Sequence, residues 1–64
     1  MIYFDLQIAR IIDNVVIYES PDKHSMAEIP STNDILCINN FYYVIKTKVI
    51  NFDTKKITIF VRPS

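Results

Sequence analysis

Glycine is missing from all 64 residues. Its absence excludes the glycine-rich phosphate cradles of P-loop and dinucleotide-binding proteins, whose backbones need that residue to approach a phosphate closely. It also means that any turn requiring a positive φ falls to Asn or Asp, which tolerate the left-handed region best among the other residues. Candidates stand at Asp13-Asn14, Asn33-Asp34, Asn39-Asn40 and Asp53. There is a single cysteine, Cys37, so no internal disulfide forms. Small secreted domains usually carry several, and a cytoplasmic location is the expectation. Cys37 lies between Leu36 and Ile38, without the electropositive neighbours that activate a thiol, and is expected to be a small buried hydrophobe. No apolar run approaches the roughly 20 residues that span a bilayer. The start, Met-Ile-Tyr-Phe-Asp, lacks the basic segment of a secretory signal. Net charge is zero.

What is present is strand-forming. Half of the residues are hydrophobic and twelve are isoleucine, whose branched Cβ favours the extended backbone. A chain of this length makes one domain, residues 1–64, and buries only about 60% of its unfolded surface. So many apolar side chains exceed the interior available and predict self-association or a partner. Ile2, Phe4, Leu6 and Ile8 alternate with Tyr3, Asp5, Gln7 and Ala9, the pattern of a half-buried strand. Asp13-Asn14 then separates Ile11-Ile12 from Val15-Val16-Ile17-Tyr18, which predicts a hairpin. Residues 19–34 form the one long polar stretch, bracketed by Pro21 and Pro30. A helical turn within Asp22–Glu28 would let Met26 or Ile29 plug an open barrel end.

From Pro30 onward the chain reads as a β-meander: Ile35–Ile38, Phe41–Phe52 and Lys56–Arg62, with breaks at Asn39-Asn40 and Asp53. Two registers fit the last hairpin. A three-residue loop pairs Phe52 with Lys56, Lys48 with Phe60 and Lys46 with Arg62, and gathers Tyr43, Ile45, Val49, Ile57, Ile59 and Val61 inside. A four-residue loop pairs Phe52 with Ile57, Ile50 with Ile59 and Lys48 with Val61. One residue of slip exchanges the faces of the moving strand, and a bulge would let both registers hold in different parts. The predicted fold is all-β: a small five-stranded SH3-like (or OB-like) barrel, built from an N-terminal hairpin and a C-terminal meander.

Pro30, Asn33-Asp34, Ile35–Ile38, Asn39-Asn40, Tyr43, Ile45 and Ile57–Val61 together resemble the pattern of small uncharacterised SH3-like barrel proteins of phage and mobile elements. The resemblance spans residues 30–62. Asn33 and Asn40 stand where that pattern carries glycine. It implies the fold and no catalytic residue.

Charge is divided along the chain. Residues 1–34 hold six acids and two bases, and residues 35–64 hold one acid and five bases, giving −4 and +4. In the three-residue-loop register, Lys46, Lys48, Lys56 and Arg62 share a face with Tyr42 and Phe60. Cations beside exposed rings hold phosphates and stack bases, so these four make a candidate nucleic-acid surface. Zero net charge argues against it, because such domains usually carry a basic excess. Lys46 opposite Arg62 would be a like-charge pair that welcomes an anion. Tyr42, Val44 and Phe60 are the candidate protein-binding residues, since tyrosine supplies contact area at low entropic cost and keeps a polar tip.

His24 has Ser20, Asp22 and Ser25 as neighbours in sequence, but a polar loop offers no oxyanion donor or rigid support. One histidine, one strand cysteine and scattered acids show no metal-ligand spacing. A non-enzymatic protein-interaction module, without cofactor or metal, is therefore expected, acting as a regulator, inhibitor or assembly component. Its partner is another protein or a second copy of the chain, with no membrane involved. The alternative is a small nucleic-acid-binding barrel.

Overall fold

The computed structural model describes residues 1–64. Five strands follow in chain order: β1 Asp5–Arg10, β2 Val16–Glu19, β3 Ile35–Ile38, β4 Phe41–Asn51 and β5 Lys56–Pro63. A single 3-10 turn, Met26–Glu28, lies between β2 and β3. The strands form one curled sheet, a half-barrel, in the order β2-β1-β5-β4-β3. The fold is all-β and consistent with a small SH3-like or OB-like barrel, made of the expected hairpin and meander. No helix is long and apolar enough to cross a membrane.

Asparagine does the work of the missing glycine. Asn39 and Asn40 both have positive φ, 52° and 69°, and form the two-residue loop between β3 and β4, where Ile38 pairs with Phe41. Two successive positive φ values are the signature of a type I′ turn, whose twist matches that of the flanking strands. Asn14 and Asn33 also take positive φ. At the last hairpin the residue in this conformation is Lys55, with φ 56°, and not Asp53. The Asn51 carboxamide oxygen accepts the N–H groups of Asp53 and Thr54 at 2.9 and 3.0 Å, which curls the loop and leaves the left-handed step to its last residue.

The β4–β5 register differs from both sequence-based alternatives. The loop has four residues but starts one position earlier, so Asn51 pairs with Lys56, Ile50 with Ile57 and Lys48 with Ile59. Phe52 leaves the ladder and meets Phe4 edge to face, with ring centroids 5.6 Å apart. The expected bulge is present at Lys46, beyond which Ile45 pairs with Val61 and Val44 with Arg62. The shift brings Ile45, Ile50, Ile57, Ile59 and Val61 to one side. Val49, expected inside, pairs with Thr58 on the other side and is exposed.

β1 lies parallel to β5, from Asp5–Lys56 to Arg10–Val61. β2 and β3 are the two edges and do not pair, so the barrel stays open between them. The buried cluster consists of Phe4, Ile8, Ile29, Ile45, Ile57, Ile59 and Val61, with Leu6, Ile17, Leu36, Ile38, Tyr43 and Ile50 packed against it. Each fully buried side chain of this size contributes roughly 1.5–3 kcal/mol. The polar crossover is tied down at Phe4 and His24, which exchange backbone hydrogen bonds of 2.8 and 2.9 Å. Of the two candidate plugs, Ile29 enters the core and Met26 remains exposed.

Candidate functional site

Residues directly opposite in a sheet share a face, and alternate residues of a strand return to it. The outer face therefore collects Cys37 with Tyr42, Ile35 with Val44 and Arg62, and Ala9 with Phe60 and Thr47. Tyr42 and Val44 on β4 and Phe60 on β5 lie on that one face. Tyr42 is 63% exposed, whereas Val44 and Phe60 are half-buried.

Two further members, Ile35 and Cys37, were not among the sequence candidates. Ile35 is 61% exposed. Cys37, expected to be buried, is exposed, because Leu36 and Ile38 take the inward positions of β3 and leave the odd residues outside. As β3 is an edge, nothing covers them from the side. The Tyr42 carbonyl accepts the Ser64 N–H at 3.0 Å, so the backbone of Tyr42 is directed toward β5. In an antiparallel ladder its opposite residue, Cys37, then directs its own N–H and C=O away from β4, as does Ile35 two positions before it. The edge thus presents unpaired main-chain groups beside apolar side chains.

The basic residues do not form the single expected face. Lys56 and Arg62 are on the outer side, Lys48 is opposite Ile59 on the inner side, and Lys46 occupies the bulge. Arg62 faces Val44, so the expected Lys46–Arg62 opposition does not occur. The cause is the shifted register combined with the bulge. None of the five bases of residues 35–64 has a carboxylate partner, because the two ion pairs of the molecule are Arg10–Asp13 at 2.6 Å and Lys23–Asp5 at 3.2 Å. Four of the six N-terminal carboxylates, those of Asp5, Asp13, Glu28 and Asp34, are by contrast engaged. The Val15 N–H, helped by the Arg10 guanidinium, holds the Asp13 carboxyl below its ordinary range. The Ser25 N–H and hydroxyl, at 2.6 and 3.1 Å from one Glu28 oxygen, lower the Glu28 carboxyl likewise. Asp34 accepts the Ser31 N–H at 2.8 Å.

The crossover brings Ser20 Oγ to 2.6 Å from His24 Nε2, a meeting the sequence did not lead us to expect. The same hydroxyl accepts the Asp22 N–H at 3.3 Å, so it closes the turn that carries His24 back to Phe4. Asp22 joins the group through its backbone, and no carboxylate is hydrogen-bonded to the ring. The geometry is that of a turn-closing contact. No group of three or more His, Cys, Asp or Glu could hold a metal ion.

No protein-family model, curated protein or solved structure matches the chain.

Proposed function

We propose that the chain is a non-enzymatic docking module that binds another protein through the outer face of β3, β4 and β5. The observation that carries this is one outer face that runs from Ile35 and Cys37 on the unpaired β3 edge, across Tyr42 and Val44 on β4, to Phe60 on the central strand β5. Such an edge accepts an added strand, with main-chain hydrogen bonds supplying affinity and neighbouring side chains supplying choice. β3 carries none of the charged residues or prolines that usually protect an edge. Large exposed hydrophobics such as Tyr42 and Ile35 favour a covered state. The resemblance to barrel proteins of phage and mobile elements favours a regulator, inhibitor or assembly component.

Tyr42→Ala with Phe60→Ala, and separately Ile35→Lys, are expected to abolish partner capture by the immobilised protein while the circular dichroism spectrum stays that of the parent. If the partner is a second copy, the same variants turn a dimer into a monomer in analytical ultracentrifugation. Undiminished capture by both folded variants would refute the site. A second reading, nucleic-acid binding, is favoured by the five unpaired bases of the C-terminal half. It requires oligonucleotide binding that weakens steeply with salt. It also requires that Lys56→Gln with Arg62→Gln, and not Ile35→Lys, remove it.

A further inference from the structure

We infer a separate ligand site at the end of the sheet where β1 and β5 run out side by side, suited to an apolar chain that ends in a carboxylate. A hollow of about 500 Å³ lies there. That volume falls within the range of small-molecule sites. Ile11, Ile12, Val61 and Pro63 line it together with the charged residues Arg10, Asp13 and Arg62. Ile12 is 86% exposed at the tip of the first hairpin, so its side chain contributes almost nothing to the fold, yet it stands over the hollow.

The charges decide the class of ligand. Arg10 is already answered, since its Nε and Nη2 donate to the two Asp13 carboxylate oxygens at 3.2 and 2.6 Å. The Val15 N–H donates to Oδ1 of the same carboxylate at 3.1 Å. The Arg10–Asp13 pair is therefore neutral as a unit. Arg62 has no carboxylate partner and is the one charged residue of the lining without one. A planar guanidinium matches a carboxylate with two parallel hydrogen bonds. A neutral apolar ligand would leave that group unanswered, and a cationic one would be repelled by it. An aliphatic chain against Ile11, Ile12 and Pro63 with its carboxylate on Arg62 satisfies both halves of the hollow. Fatty acids and apolar peptide C-termini share this chemistry.

Titration of the isotope-labelled protein with octanoate, followed by amide chemical shifts, tests the site. Saturable shifts are expected at Ile11, Ile12, Asp13, Val61 and Arg62, with octanol and octyltrimethylammonium binding at least several-fold more weakly. Arg62→Gln should weaken octanoate roughly fivefold, the equivalent of an exposed ion pair near the upper end of its usual worth. It should leave octanol unchanged. Ile12→Asp, on an exposed tip remote from the core, should abolish octanoate binding without unfolding the chain. Equal affinity for octanoate and octanol, indifference to Arg62→Gln, or no octanoate shifts at all would overturn the assignment. A short leucine-ended peptide, compared as free acid and as amide, separates the sources. A free acid that binds more tightly than octanoate assigns the site to a peptide C-terminus, and the reverse order assigns it to a fatty acid.

Discussion

The meander β3–β5 and the N-terminal segment reach the same sheet by different means. The meander is held by neighbours: Ile38 pairs with Phe41 across two asparagines, and Asn51 with Lys56 across a loop capped by its own carboxamide. The N-terminal segment joins that meander through one distant seam, where Asp5 meets Lys56 and Ile8 meets Ile59. Charge divides along the same line. The N-terminal segment answers most of its acids internally, while the bases of the meander have no carboxylate partners. Local pairing thus supplies a platform with unspent surface, and long-range burial supplies the other half of the core.

The seam is where the comparison breaks most easily. Ile59 is fully buried on the central strand, flanked by Ile8 and by Lys48. Ile59→Ala should cost about 2–5 kcal/mol. A domain of this size has only about 3–10 kcal/mol of stability, so urea unfolding should begin near zero denaturant. A midpoint close to that of the parent would show that the two halves are held by something other than this core.

A smaller effect of opposite sign sharpens the contrast. Asn40 and Lys55 sit at positive φ in the two turns of the meander. Glycine relieves the steric cost of that conformation, about 1–2 kcal/mol per residue and less for asparagine, although its greater freedom when unfolded offsets part of the gain. Asn40→Gly is expected to raise stability by a few tenths of a kcal/mol and Lys55→Gly by about 0.5–1 kcal/mol. Chemical denaturation checks both, and a loss at Lys55 would contradict the assigned turn.

The smallest effect concerns acid. Asp13 and Glu28 have folded values below their ordinary 3.8 and 4.5, so their hydrogen bonds stabilise the chain fully above that range. The contribution disappears as the pH falls through the lowered values, because the unfolded state then binds more protons. Stability should decline below about pH 4.5, and Glu28→Gln, which keeps an acceptor for Ser25, should flatten part of that decline. Both carboxylates belong to the N-terminal half, so a decline unaffected by Glu28→Gln and Asp13→Asn together would move acid sensitivity elsewhere.

Much of the candidate site was legible in the chain. Tyr42 and Val44 alternate along one strand, and Phe60 lies outward on the next because Ile57, Ile59 and Val61 are pulled inward. Ile35 and Cys37 were not legible, since a run such as Ile-Leu-Cys-Ile reads alike in a central strand and at an edge. The hollow beside Arg62 unites hairpin residues with a strand some fifty positions away, and no local pattern announces it.

By itself the sequence determined the strands, the asparagine turns and the isoleucine core. Alternation, turn chemistry and branched side chains are patterns of a few consecutive residues, so they are visible before it is known which strands become neighbours. Tertiary structure alone decided the parallel docking of β1 on β5, the position of the bulge at Lys46, the outward turn of Cys37 and the dispersal of the basic residues. Each of these is a choice of register or neighbour. A one-residue slip leaves every local preference intact and moves a whole row of side chains into or out of the core, so only burial summed over all five strands selects the arrangement.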